Sequence, residues 1–230
     1  MRVNVDLKSP SLNLSGDSNV TLNYKKDDRN FITQVFAAQL PAIQTGFFNA
    51  HLSKDVIVQP HWHTNATELV FVISGEVITS VFDPFTQKLL SYRLKPGQVS
   101  QFPKGWFHWI VALTDYTHIL TIFDVPTPDI VYGSDFLRFI PKEILNLAYC
   151  VNEEEYAKAV APIQESVILG PPPGCIRVPD EVGSSYPQPV PITSVMSGYP
   201  NYSGYPSYGA QSGMPNSYIN YGYGQNNTSY

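Results

Sequence analysis

Between residues 31 and 123 the chain is a succession of short apolar runs, and this pattern restricts the fold more than any other feature. The runs are rich in Val, Ile, Phe and Thr, and they recur about every eight to twelve residues. Turn-forming residues separate them, as in SG at 74–75, KPG at 95–97 and PKG at 103–105. Short strands at such spacing are typical of an antiparallel sandwich or barrel, so we predict an all-β fold.

The individual elements can be placed along the chain. The runs predict seven strands, over residues 55–63, 66–73, 76–82, 89–94, 98–102, 108–113 and 118–123. The prolines of DVPTPDIVYGSD, from Asp124, predict a loop. Pro141 suits the first position of a helix over KEILNLAY, and Asn152 with Glu155 resembles the capped start of a second helix over EEEYAKAV. We expect both helices to pack over one end of the barrel.

Composition divides the chain into three segments. Residues 1–30 are polar and turn-rich, and we expect an arm that pairs with an edge strand here or in a neighbouring subunit. Residues 31–165 form the barrel with its closing helices. The last segment, 166–230, is rich in Pro, Gly and Tyr, and from residue 182 onward it contains no Asp, Glu, Lys, Arg or His. Such a composition buries too little apolar surface to order itself, so it predicts a disordered tail that is either inert or a docking segment for protein assembly.

Charge and cysteine content exclude several classes of function. The 230 residues carry a net charge of -5 with only 14 Lys and Arg, which gives no basic surface for nucleic acid or anionic membranes. No apolar stretch predicts a signal peptide or a membrane span, so we expect a cytoplasmic protein or one incorporated into a coat-like assembly. Cys150 and Cys175 are too few for a disulfide scaffold and lack metal-site spacing. The expected partners are small molecules or other proteins.

A second pattern carries chemistry. The segment HWHTNATELVFVISG places two of the five histidines, His61 and His63, one residue apart in a strand-like run. Residues two apart in a strand point to the same face, so both imidazoles project together. Glu68 opens the next strand, and His108 begins a later strand after the PKG turn. Three imidazoles and one carboxylate can bind a divalent transition ion and leave positions open for water, dioxygen or substrate.

The spacing of these residues resembles the paired motifs of the cupin superfamily over residues 31–165. His-x-His, Glu and Gly form the first motif, and Gly, Pro-x-Gly and His form the second. Ala112 stands where the family has an asparagine that is not a ligand. The resemblance implies a double-stranded β-helix, or jelly-roll barrel, with metal ligands His61, His63, Glu68 and His108 on its inner face.

Within the superfamily, HWHTNATELVFVISG is similar to germins, and HWH with FIPKEILNLAY is similar to oxalate decarboxylases. These relatives imply manganese, although the ligands alone leave Fe, Ni, Co and Zn open. The implied activity is oxidation or decarboxylation of a small carboxylate such as oxalate. The alternatives are a germin-like superoxide dismutase, an iron dioxygenase, or a structural or coat-associated cupin without catalysis, so whether the protein is an enzyme stays open. The closing helices resemble those that clasp a neighbouring barrel, which implies a homo-oligomer (dimer, trimer or hexamer).

Two further residues are candidates for catalysis. Decarboxylase relatives place an arginine on the strand leading into HWH, and an ungapped count assigns that place to His51. They also carry a glutamate in a lid after the last core strand, where this chain has FDVPTPDIVYG with Asp124 and Asp129 as its only carboxylates. The resemblance therefore implies that His51 holds the substrate anion and that Asp129 moves protons.

Overall fold

The structure, a computed structural model, describes residues 5–175 and consists of two antiparallel sheets with three short helices. The strands are β1 (Leu22–Lys25), β2 (Phe31–Val35), β3 (Phe47–Leu52), β4 (Ile57–Trp62), β5 (Glu68–Ser74), β6 (Val77–Asp83), β7 (Lys88–Leu94), β8 (Val99–Phe102), β9 (His108–Ala112), β10 (Thr117–Phe123), β11 (Val131–Tyr132) and β12 (Leu169–Gly170). The helices are α1 (Gly133–Phe139), α2 (Lys142–Tyr149) and α3 (Glu153–Val160). The predicted all-β jelly roll with short closing helices is confirmed.

The two sheets enclose the core. One has the strand order β1-β2-β3-β10-β5-β8, and the other has the order β11-β4-β9-β6-β7, with β12 paired to β4. Alternate residues of each strand face inward, as in β10, where Ile119, Thr121 and Phe123 are buried between less buried neighbours. Val70 from the first sheet and Ile110 from the second are both fully buried in the same hydrophobic cluster. The core therefore lies between the inner faces of the sheets.

All seven strands predicted from the apolar runs are present, each within about two residues of its predicted bounds. The sequence did not predict β2, β3, β11 and β12, nor α1, which follows the proline-rich loop. Asn152 caps α3 by accepting hydrogen bonds from the backbone N–H groups of Glu154 and Glu155. Cys150, which ends α2 with a left-handed backbone, and Cys175 are free thiols.

The segments at the two ends of the barrel also pair with its sheets. The strand β1 lies in the predicted N-terminal arm and pairs with β2 of the same chain. Residues 166–175, which the composition assigned to the tail, contain β12, where Leu169 is buried and pairs with Val58. The remainder of the predicted tail, from residue 176, lies outside the described residues.

The first turn of α1 lies directly against β4. A Cβ atom on Gly133 would lie 2.7 Å from the carbonyl oxygen of Pro60, so a glycine is required at this contact. The close approach fixes the helix beside the end of the strand that carries His61.

Candidate metal centre

Four buried side chains converge inside the barrel, at the ends of three strands. His61 lies near the end of β4, Glu68 begins β5 and His108 begins β9, while His63 follows β4 directly. One ligand atom from each residue lies within 4.8 Å of the other three. The structure thus brings together all four residues that the sequence analysis selected, and they form a group that can hold a metal ion.

Glu68 lies at the middle of the group. Its Oε2 atom is 2.8 Å from Nε2 of His63, 3.0 Å from Nε2 of His108 and 3.8 Å from Nε2 of His61. Because β5 belongs to one sheet and β4 and β9 belong to the other, the glutamate meets the histidines across the core.

Backbone carbonyl groups orient the three imidazoles. Nδ1 of His61 donates to the carbonyl of Gln59 at 2.7 Å, and Nδ1 of His108 donates to the carbonyl of Trp106 at 2.8 Å. Nδ1 of His63 donates to the carbonyl of Asp129, also at 2.8 Å. A carbonyl oxygen only accepts, so the Nδ1 atom of each ring carries a proton; whenever a ring is neutral, its Nε2 atom therefore presents a lone pair to the centre.

This arrangement fits a cation. The Nε2 atoms of His63 and His108 lie at hydrogen-bonding distance from the Glu68 carboxylate, and that of His61 lies 3.8 Å from it. Acceptors this close repel unless a proton or a metal ion lies among them. Carbonyl groups that hold the second nitrogen of each histidine are also the usual outer partners of metal-bound imidazoles. The donor set therefore fits a divalent transition metal.

The electrostatics of the group favour an ionised Glu68. Burial by itself raises the pKa of Glu68, but hydrogen bonds from His108, His61 and His63 outweigh it and hold that pKa well below its usual range. Burial, reinforced by the charge of His108, lowers the pKa of His61 to about 4. Burial also acts to lower the pKa of His63, but the hydrogen bond and charge of Glu68 raise it overall. At neutral pH the centre therefore contains a carboxylate and at least one neutral imidazole ready to bind a cation.

The turn before β9 supports the same centre. Gly105 has φ of +81°, a conformation that favours glycine, and its N–H donates to the carbonyl of His63 at 2.9 Å. Trp106 follows in this turn and supplies the carbonyl that holds His108. The PKG sequence thus sets the position of two histidines through the backbone.

A small cavity adjoins the centre. Its volume is about 30 Å³, which is room for roughly two water molecules. His61 and Glu68 line the cavity, as do the polar residues Asn23, Gln59, Thr121 and Tyr132. The other lining residues are apolar, namely Ile32, Phe48, Ala50, Val58, Phe123, Ile130 and Ile168. Within residues 5–175, no Lys or Arg side chain lines this cavity.

The structure does not bring His51 to the centre. Its neighbour Ala50 lines the cavity, and strand alternation turns His51 to the other face of the sheet. There its ring stacks between Phe31, at 4.7 Å, and His118, at 4.2 Å. The anion-binding role predicted for His51 requires a side chain that faces the cavity. The alternation of β3 places His51 on the opposite face.

Asp129 lies beside the centre but contributes through its backbone. Its carbonyl accepts from His63, whereas its exposed carboxylate accepts from the hydroxyl of Thr64 at 3.3 Å. Its own N–H donates to the side chain of Asn65. The predicted role in proton transfer requires the carboxylate to face the cavity, and the side chain lies outside the cavity lining.

Sequence reasoning missed Gln59, Thr121 and Trp106. Gln59 lies two residues before His61 and four before His63, a spacing that marks one face of a strand. No sequence pattern predicts the contact of the Trp106 carbonyl, because every residue has a backbone carbonyl. Thr121 lies outside both motifs, so its position in the sequence gives no indication that it is near the centre.

The fold and the centre define a class of protein: a small β-barrel domain whose interior carries three histidines and one glutamate positioned for a metal. The sequence profile of the cupin family, described as "Cupin", matches residues 12–157. This match covers more than half of the chain, and the protein therefore belongs to the cupin family.

Similar curated proteins include germin-like proteins, seed storage proteins and a probable oxalate decarboxylase. A germin-like protein of Arabidopsis thaliana, subfamily 1 member 1, is 27% identical over 136 residues, which cover 55% of this chain and 62% of the relative. The 12S seed storage protein CRD of the same plant is 26% identical over 156 residues, with coverages of 62% and 33%. A probable oxalate decarboxylase of Arthroderma benhamiae is 32% identical over 116 residues, with coverages of 49% and 28%. The chain thus matches less than two thirds of each relative.

Solved structures share the fold. The coconut allergen cocosin has a TM-score of 0.60 at 21% identity, over 68% of this chain and 43% of that one. A mutant of Bacillus subtilis oxalate decarboxylase has a TM-score of 0.60 at 22% identity, over 67% of this chain and 40% of that one. Among residues 5–175, no helix is long and apolar enough to cross a membrane.

Proposed function

We propose that the protein is a metal-dependent cupin that acts on a small carboxylate such as oxalate, by oxidation or decarboxylation, with manganese as the first candidate metal. The convergence of three backbone-oriented imidazoles on Glu68 carries this proposal. The relatives named as germin-like proteins and as a probable oxalate decarboxylase support the same activity.

The proposal assigns a role to each group of the centre. His61, His63 and His108 would hold the ion through Nε2, and Glu68 would hold it through its carboxylate. A bound divalent ion would supply a Lewis acid and, for manganese, a change of oxidation state. The apolar wall of the cavity excludes bulk water from the reacting groups. Tyr132 lines the cavity and stays protonated at neutral pH, because burial, together with Asp135, raises its pKa, so its hydroxyl remains a donor.

Metal content is the first test of the proposal. Protein purified without added metal is analysed by mass spectrometry for Mn, Fe, Ni, Co and Zn, and about one ion per chain is expected. His108→Ala should lower the content close to zero, because the remaining three ligands bind less tightly. His118→Ala is the matched control, since His118 lies outside the centre and should leave the content unchanged. An ion-free wild-type protein would overturn the proposal.

Turnover is the second test. Manganese-loaded protein is incubated with oxalate from about pH 4 to about pH 8, a range that spans carboxylate and histidine titration. Release of carbon dioxide without oxygen consumption would identify a decarboxylase, and oxygen consumption would identify an oxidase. Loss of superoxide without turnover of oxalate would instead identify a dismutase.

A structural cupin without catalysis is the second candidate, and two observations favour it. The cavity has room for only a few atoms and lacks a cationic side chain among the described residues. One relative is a seed storage protein. In this case the metal content would match that of an enzyme, but no turnover would occur at any pH in the range.

The proposal includes self-association. Phe139 is 72% exposed in α1 and Leu147 is 82% exposed in α2, and large exposed apolar side chains are typical of association surfaces. Light scattering of the purified protein should give the mass of a dimer, a trimer or a hexamer. The mass of a monomer would contradict the proposed self-association. Docking into a protein assembly through residues 176–230, in the cytoplasm or in a coat, rests on composition alone.

A further inference from the structure

Two buried polar side-chain atoms in the described part of the chain have no hydrogen-bond partner, and both belong to residues that line the cavity beside the metal centre. They are Nε2 of Gln59 and Oγ1 of Thr121, and the two residues are only 4% and 5% exposed. An unpaired buried polar group costs free energy, and native proteins therefore pair such groups with protein, water or ligand. Two such unpaired atoms in residues that line one small cavity indicate that the cavity binds a ligand or water.

The surroundings of Gln59 define what its free atom can do. Its Oε1 atom accepts a hydrogen bond from the backbone N–H of Ser134 at 3.3 Å, which identifies Nε2 as the free end of the amide. An amide nitrogen only donates. Gln59 therefore offers a donor to an acceptor in the cavity.

Thr121 presents its hydroxyl in an apolar setting. Its strand neighbours on the same face are Ile119 and Phe123, and its cross-strand partners are Phe48 and Val70. All four are buried hydrophobic residues. The hydroxyl can donate or accept, but none of these side chains can pair with it.

Charge and size restrict the ligand. Within residues 5–175 the cavity wall contains no Lys or Arg, and its only carboxylate belongs to Glu68. A second negative charge on a ligand would lie in an apolar space without a cation, which is costly. The volume of about 30 Å³ corresponds to roughly two water molecules, so the ligand has only a few heavy atoms.

We propose that Gln59 and Thr121 are ligand-binding residues that select a short aliphatic monocarboxylate over a dicarboxylate. The carboxylate of this ligand lies at the metal centre and accepts hydrogen bonds from Nε2 of Gln59 and from Oγ1 of Thr121. Its alkyl group contacts apolar residues such as Phe48 and Ile130. This inference rests on the proposed metal-dependent function. It narrows the small carboxylate of that proposal to a monocarboxylate, so that oxalate becomes the weaker ligand of the site.

The test measures binding rather than turnover. Manganese-loaded full-length protein is titrated with acetate, oxalate and azide by calorimetry, and the electron paramagnetic resonance spectrum of the bound manganese reports whether each ligand reaches the metal. Acetate should bind more tightly than oxalate. Gln59→Leu and Thr121→Val should each weaken acetate binding by about tenfold or more, the usual cost of losing a hydrogen bond to a charged group.

Matched variants separate ligand binding from folding. Thr121→Ser keeps the hydroxyl and should retain the affinity for acetate. Thr79→Val changes a buried threonine outside the cavity wall and should leave acetate binding unchanged. Manganese content and melting temperature are measured for every variant, so that a folding defect is not mistaken for a loss of ligand binding.

The possible failures are distinguishable. If the wild-type protein binds no metal, the proposed function and this inference both fall. If metal is bound but Gln59→Leu and Thr121→Val bind acetate within about twofold of wild type, the inference alone is overturned, because a lost hydrogen bond exceeds that factor. Oxalate binding more tightly than acetate, or azide binding in place of acetate, would also overturn it, since the pocket would then select a dianion or a small non-carboxylate anion.

Discussion

Ser80 and Ser91 show how single residues complete this core. They face each other across β6 and β7, with their hydroxyl oxygens 2.8 Å apart, and both are buried. Neither hydroxyl could reach bulk water if its partner were removed. Each hydroxyl group therefore provides the hydrogen-bond partner that the other needs in this buried region.

We expect Ser80→Ala to lower the free energy of unfolding by about 1–2 kcal/mol, because it leaves the Ser91 hydroxyl buried with its partner removed. The double variant Ser80→Ala/Ser91→Ala should cost less than the single change, since no polar group is then orphaned. Urea denaturation of the three proteins measures both quantities. A double variant that is less stable than the single one would contradict this interpretation.

The stack of Phe31, His51 and His118 makes stability depend on pH. Burial lowers the pKa of His51, and burial together with the charge of His51 lowers the pKa of His118, both from an ordinary value of 6.5. The folded state thus favours neutral rings. Asp28, Arg29 and Asp115 line the adjoining cleft, but their charges do not reverse the lowering of either pKa. The stability that the folded protein has with both rings neutral is fully present above about pH 6.5, and it is lost as the pH falls through the lowered pKa values of the two histidines.

We expect His51→Phe to reduce the loss of stability between about pH 7 and about pH 5, because one titrating ring is removed and the charge repulsion on His118 disappears. The melting temperatures of wild type and variant, measured over this range with the same metal content, give the comparison. Equal pH dependence in the two proteins would show that the stack does not contribute.

At the scale of elements, β4 connects most parts of the site. It pairs with β9, β11 and β12, and a bulge between Val58 and His61 interrupts its register with β9. A bulge redirects the side chains that follow it. The loop before β11 supplies the carbonyl of Asp129, and the segment before β12 supplies Ile168 to the cavity wall.

The closing segments differ in how much they bury. No residue of α2 or α3 is buried, whereas Leu169 in β12 is 2% exposed and belongs to the hydrophobic core. Lys26 adds hydrogen bonds from its Nζ atom to the carbonyls of Leu169 and Pro171. The strand β12 is therefore part of the barrel despite its proline-rich context.

We expect a chain that ends at residue 175 to keep the fold, the metal and the ligand affinity of the full-length protein. A chain that ends at residue 165 should lose about 2–5 kcal/mol, the usual cost of deleting a large buried aliphatic side chain, because Leu169 leaves the core. Chemical denaturation and metal analysis of the two truncated proteins test this prediction. Equal stability would show that β12 is dispensable.

At the scale of the whole molecule, the centre joins the two sheets. Glu68 belongs to the sheet of β5, while His61 and His108 belong to the sheet of β4 and β9. An ion held by these residues binds only the folded chain, because the unfolded chain does not bring them together.

We expect removal of the metal by a chelator to lower the melting temperature, and readdition of manganese to restore it. At a free metal concentration 100 times the dissociation constant, one site stabilises the folded state by about 2.7 kcal/mol. Scanning calorimetry with and without metal measures the shift, with Glu68→Gln as the variant that should show none. Glu76→Gln, at an exposed ion pair with Arg93, is the control that should behave as wild type. A wild-type melting temperature that is independent of metal would contradict the linkage.

The sequence by itself determined the seven strands of residues 55–123, the helices α2 and α3 and the four residues of the centre. Strand periodicity and turn chemistry are local properties, so the apolar runs of 55–123 predict their own strands. The His-x-His pair fixes a common face because side chains alternate with a period of two. The spacing of Glu68 and His108 adds the remaining ligands through its resemblance to a known family.

Only the tertiary structure decided which other residues meet the centre. Strand pairing and its register place Thr121 beside the cavity, turn His51 outward into a row with Phe31 and His118, and bring the carbonyl of Asp129 to His63. These contacts join residues separated by tens of positions, and a shift of one residue in register would reverse every side chain of a strand. A single sequence carries the alternation of each strand but not the register between strands, and this register decides what surrounds the metal centre.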